Sequence, residues 1–164
     1  MSIAASVAGM FSSSLIFTKR VEFPGVADLL RPMRQQIMLQ LKILIDTHIF
    51  LWAISDPDRL KSHYQSELET QANVVFLSAV SVAELMIKSS TGKLEVAFDP
   101  VDIAIATGFQ LLSFSAEDAL QLKELPFHHK DSFDRMLIAQ ALSNNYAIMT
   151  DDSKFSQYDC KLIA

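Results

Sequence analysis

A three-layer α/β/α domain around a mainly parallel sheet of about four to five strands is the expectation from three features of this sequence. Short, almost wholly apolar runs recur along the chain, as in strands buried on both faces. Between these runs the apolar residues change to helical spacing. Half of the 164 residues are apolar, enough for one core in a chain of single-domain length.

The first strand is expected at Leu41–Ile45, followed by a helix from Thr47 on which His48 and Trp52, four positions apart, pack together. The second strand is expected at Val74–Leu77. A helix over Val82–Ser89 follows, mostly buried because Leu85, Met86 and Ile87 fall together, and it ends towards Gly92. Further strands are expected at Gln110–Phe114, Ala147–Met149 and Lys161–Ile163. The strongest helical period lies at Asp131–Leu142, where Phe133, Leu137, Ile138 and Ala141 share one face and Asn144–Asn145 offers a stop. Such alternation places helices on both faces of a parallel sheet.

Residues 1–40 read differently. They hold four of the fourteen basic residues but only two of the nineteen acids, with two of the four glycines and a serine patch at Ser12–Ser14. Lys19 and Arg20 follow the apolar stretch instead of preceding it, so no export signal is read. The segment is expected to be an N-terminal extension, a loosely ordered arm or the product of an upstream start with Met38 as the natural one, and residues 41–164 form the domain. With a mean hydropathy of +0.23, no apolar run reaches the roughly 18–20 residues of a membrane span. The single cysteine, Cys160, suits a reducing cytoplasm, excludes a cysteine-based zinc cluster and is expected as a small buried residue on the last strand.

The net charge of −5 argues against a nucleic-acid binder with a broad basic face. It leaves a nuclease open, because bound cations can supply the positive charge. Four acids fall at one edge of the expected sheet. Asp46 ends the first strand, Glu84 lies in the first turns after the second, Asp134 lies in the first turn of the helix feeding the fourth, and Asp152 follows the fourth. Each has a local explanation: Asp46, Asp131 and Asp151 or Asp152 as helix caps, Ser81 and Glu84 as a capping box, Asp134 as a partner of the helix dipole. Together they repel, and a hard divalent cation is the cheapest remedy.

Spelling removes other chemistries. Neither G-x-x-x-x-G-K nor G-x-G-x-x-G occurs, His48 stands where an aspartyl-phosphate enzyme carries its second Asp, and no G-x-S-x-G is present. Metal-dependent phosphodiester hydrolysis remains. Lys88, Lys93 and Arg135 are candidate phosphate contacts; a ligand or proton-shuttle role is conceivable for His48, His128 and His129, but packing is preferred for the first and lining an RNA path for the other two. Phe127 and Phe133 are read as core, and Thr47, Ser78 and Thr150 as hydrogen-bonding supports of the acids.

The segments "ILIDTHIFLWAISDPDRL", "VVFLSAVSVAELMIKSSTGKLEV", "LPFHHKDSFDRMLIAQAL" and "AIMTDDSKFSQY" resemble PIN-domain ribonucleases, specifically VapC-type toxins of toxin–antitoxin systems. The resemblance runs from about Leu41 to the C-terminus, whereas the preceding arm departs from the usual layout. It implies a PIN-like fold and an acidic quartet of Asp46, Glu84, Asp134 and Asp152, the first and third as principal Mg²⁺ ligands, with Mn²⁺ as a substitute. Asp152 takes the place of the acid in a T-x-D pattern beginning at Thr150. Also implied are RNA cleavage through metal-activated water, a cognate antitoxin, a homodimer and a cytoplasmic setting. Two rivals stay open: a regulatory module that binds promoter DNA with its antitoxin, and a housekeeping PIN nuclease in RNA processing.

Overall fold

The computed structural model describes residues 40–163, and the expected N-terminal extension falls outside them except for Gln40. Five parallel strands form one sheet: β1 (Lys42–Ile45), β2 (Val74–Ser78), β3 (Gln110–Leu112), β4 (Ala147–Met149) and β5 (Lys161–Leu162), in spatial order β3-β2-β1-β4-β5. The first strand is therefore central. Ile45 registers with Leu77 of β2 on one side and with Met149 of β4 on the other.

The apolar runs have the meaning expected of strands covered on both faces. Ile43 and Ile45 point into a cluster with Phe50, Leu60, Tyr64, Leu77, Leu85 and Ala104. Leu44, between them, points the other way into a cluster with Phe76, Leu137, Ile138, Ile148 and Phe155. The first cluster is covered by α1 (Thr47–Ser55), α2 (Ser62–Glu69), part of α3 (Ala79–Ser90) and α4 (Pro100–Ala106); the second is covered mainly by α6 (Ser132–Asn144). Helix α5 (Ala116–Glu124) packs against α6. Asp118 closes a capping box with Ser115 and accepts hydrogen bonds from Gln140 and Asn144, which ties the two helices together. Among the described residues, no helix is long and apolar enough to cross a membrane.

The α6 stop is as expected: Asn145 takes the left-handed conformation at φ 56° and caps the helix. Helix α3 ends at Ser90 with Thr91 as its C-cap, just ahead of Gly92, whose φ is +70°. Its burial, however, differs from expectation. Leu85 is fully buried, but Met86 and Ile87 are 41% and 51% exposed, because only one stripe of this helix meets the sheet. Phe127 is not core either, being 74% exposed beneath the Arg135 guanidinium. Phe133 does pack on the second cluster. Cys160 is half-buried just before β5, and burial pushes its thiol pKa up.

Candidate active site

Parallel strands deliver their carboxyl ends to one edge, and strand order reverses there between β1 and β4, the position at which open α/β sheets build their sites. Asp46 is the first residue beyond β1, and its main-chain N–H continues the ladder by donating to Met149 O at 3.1 Å. Its two oxygens have separate duties. Oδ1 caps α1, accepting from the amides of His48 at 2.7 Å and Ile49 at 2.9 Å. Oδ2 accepts a hydrogen bond from the Thr150 hydroxyl. Burial pushes the Asp46 carboxyl above the usual range, and these hydrogen bonds offset only part of that.

Glu84 projects from α3, where Thr47 Oγ1 donates to its Oε2 and the Lys88 ammonium lies 2.5 Å from its Oε1. The expected capping box of Ser81 with Glu84 does not form. Ser78, at the end of β2, is the N-cap, accepting from Val80 N at 3.0 Å, so the helix begins earlier and Ser81 lies inside it. This frees Glu84 to face the β1 edge. Lys88 has its pKa raised, first by its hydrogen bond to Glu84 and further by the charges of Asp131 and Asp134.

Asp134 sits in the first turn of α6, behind the N-cap Asp131. Its pKa is raised to about 6, first by burial, then by the charge of Asp131, with Glu84 and Asp46 adding to the effect and His129 opposing it. The charges of Asp131, Glu84 and Asp46 thus act on Asp134, while Asp152 meets it through the His129 ring. Asp152 caps the 3-10 turn Ser153–Gln157 through Lys154 N. Burial would raise its pKa, but hydrogen bonds from Lys154 N and the His129 ring outweigh that and leave it below the usual range. Asp151 turns outward to Lys61 at 2.6 Å, so Asp152 is the acid of this loop that faces the cluster.

The supports are closely fitted. Thr150 Oγ1 accepts from Asp152 N while it donates to Asp46, and Tyr64 Oη donates to Thr150 O at 2.7 Å. Lys93 and Lys88 line a cleft of about 240 Å³ with Thr47, His48, Leu51, Leu85 and Leu94. His48 is exposed and packs on Trp52 at a 6.3 Å ring separation, as expected. His128 is exposed with its ring edge-on to Tyr158. Arg135 is not gathered into the cluster: its guanidinium donates to the carbonyl oxygens of Leu122, Leu125 and Pro126.

His129, expected to line an RNA path in preference to a ligand or proton-shuttle role, is only 4% exposed, and its ring reaches both Asp134 and Asp152. Ligand atoms of these three residues all lie within 4.8 Å of one another. The available signal was position: His129 stands just ahead of the α6 N-cap, where the chain must pass over the helix start and its acids.

The family model for the PIN domain matches residues 43–161. No curated protein matches the chain at a significant level. Similar solved structures include VapBC2 from Rickettsia felis bound to a DNA fragment from their promoter, at 20% identity and TM-score 0.59, covering 75% of this chain and 98% of that one. VapBC-1 from nontypeable Haemophilus influenzae is similar at 19% identity and TM-score 0.54, covering 75% and 97%. VapC20 from Mycobacterium tuberculosis, described as a sarcin-ricin loop cleaving toxin, is similar at 17% identity and TM-score 0.52, covering 72% and 95%. At these identities the likeness is one of fold.

Proposed function

Because the chain belongs to the PIN-domain family, we propose that it is a divalent-cation-dependent endoribonuclease, the toxin half of a toxin–antitoxin pair. The observation that carries this reading is the close grouping of His129, Asp134 and Asp152, whose ligand atoms lie within 4.8 Å of one another, beside an Asp134 carboxyl that burial and neighbouring negative charge push up to about 6. Such mutual repulsion is relieved by a cation with a preference for oxygen, and the site offers carboxylates on four separate elements. Asp46 and Asp134 are the principal holders of Mg²⁺, or of Mn²⁺ in its place, with Glu84 and Asp152 beside them. When bound, the ion supplies an activated water and offsets charge on the leaving oxygen. The chain does the rest. Thr150 and Thr47 hold Asp46 and Glu84 in place, and Lys88 and Lys93 offer positive charge to the backbone phosphates of RNA. A cognate antitoxin belongs to the same proposal, supported by similar folds found in VapBC complexes, and the homodimer and cytoplasmic setting that the family resemblance implies are proposed with it.

The antitoxin-free protein is expected to cleave single-stranded RNA with Mg²⁺ or Mn²⁺ and to stop when EDTA is added. Asp46→Asn, which keeps an oxygen to cap α1 but removes the charge, is expected to lose at least about 10-fold in rate, the scale of losing one ligand's electrostatic contribution. Undiminished cleavage in excess EDTA overturns the metal mechanism. The second reading, promoter-DNA binding together with an antitoxin, draws on the Rickettsia felis complex, which is bound to promoter DNA. Retained operator binding by an Asp46→Asn complex, with no RNA cleavage by the parent toxin, would favour it.

A further inference from the structure

Nε2 of His129 lies 3.1 Å from Asp152 Oδ2 and 3.2 Å from Asp134 Oδ2. The other ring nitrogen decides the direction of these contacts. Nδ1 lies 3.0 Å from the main-chain nitrogen of Asp131, which can only donate. Nδ1 therefore presents its lone pair, and the neutral ring carries its proton on Nε2. That N–H donates to Asp152 on the loop after β4, and the Asp134 carboxylate of α6 lies in close polar contact with the same nitrogen. The Asp131 N–H and the edge-on contact with Phe155 at 6.1 Å hold the ring, and His129 N donates to Tyr158 Oη at 2.7 Å, which anchors the backbone beneath it.

The same geometry argues against His129 as a ligand. To offer a lone pair from Nε2, the neutral ring would have to carry its proton on Nδ1, where it would meet the Asp131 N–H donor to donor. Resting on the reading of this edge as a cation site, we propose that His129 is a positioning residue whose Nε2–H holds Asp152 by a hydrogen bond while the Asp134 carboxylate packs against the same nitrogen. It holds carboxylates from two separate segments at ligand spacing and leaves their remaining lone pairs for the ion. Outer partners that orient metal-binding carboxylates act in this way.

Long-range ¹H–¹⁵N spectra of the full chain report the tautomer directly, first in EDTA and then with saturating Mg²⁺. The His129 ring is expected to be protonated on Nε2 and bare on Nδ1 in both. Transfer of the proton to Nδ1 on adding Mg²⁺ would make His129 a ligand and overturn the proposal. Calorimetric titration with Mn²⁺ gives the second readout: His129→Phe should bind about 10-fold more weakly or worse, the usual cost of losing such a partner. His129→Gln, whose side-chain amide can donate from nearly the same place, should recover most of the loss. Equal Mn²⁺ affinity in parent and His129→Phe overturns this role and leaves the proposed function standing. A parent that binds neither ion overturns the cation site, and this role with it. The spectra need no variant, so the proposal stays open to refutation even if His129→Phe does not fold.

Discussion

Asp134 carries the clearest energetic signature of the site. Its carboxyl titrates at about 6 in the folded protein against an ordinary 3.8, so the folded state holds a proton that the unfolded chain releases earlier. The stability from this proton is fully present below 3.8 and is lost as pH rises through about 6. In EDTA at neutral pH, Asp134→Asn is therefore expected to be more stable than the parent by on the order of 1 kcal/mol, the full shift being discounted for solvent screening of a partly exposed group. The difference should shrink towards acid, as urea denaturation at neutral and acidic pH will show; a difference constant with pH would mean that the charged carboxyl carries no penalty. At this scale the acids were legible because each follows a strand or opens a helix, positions that topology sends to one edge. His129 was not, because its role depends on which ring nitrogen meets Asp131 N, and that contact exists only in three dimensions.

Helix α3 shows how a local rule gives way to tertiary geometry. The spelling Ser81-x-x-Glu84 satisfies a capping box, yet β2 runs directly into the helix at Ser78 and moves the N-terminus three residues earlier. Ser81 Oγ is left fully buried with no hydrogen-bond partner. Ser81→Ala is accordingly expected to be neutral or stabilising, by up to about 1 kcal/mol, since it removes an unpaired buried hydroxyl. A melting temperature several degrees below the parent would show that the hydroxyl has a partner after all. The strands and the α6 period were legible for a simpler reason: apolar runs and an i, i+4 stripe require burial wherever they lie. Whether a further apolar residue on a helix meets anything depends on its neighbours, so Met86 and Ile87 were misread as buried.

At the scale of the whole molecule, the described residues of both apolar clusters begin at Ile43, and the first described strand begins at Lys42. A chain beginning at Met38 is therefore expected to melt and to cleave RNA like the full chain. A fall of several degrees on truncation would show that the upstream segment contributes to stability. The parallel sheet was readable from alternation alone, whereas its order was not, because short strands do not state their neighbours. That order has a consequence for the chain as it is made. Asp46 and the Thr150 hydroxyl that holds it are 104 positions apart, and β4 inserts beside the central strand only after β2 and β3 have been laid down on its other side. A ribosome therefore carries an unfinished centre until translation has passed the fourth strand. A message broken before that point yields fragments that hold Asp46, Glu84 and even Asp134 yet lack the loop that brings Thr150 and Asp152 to them.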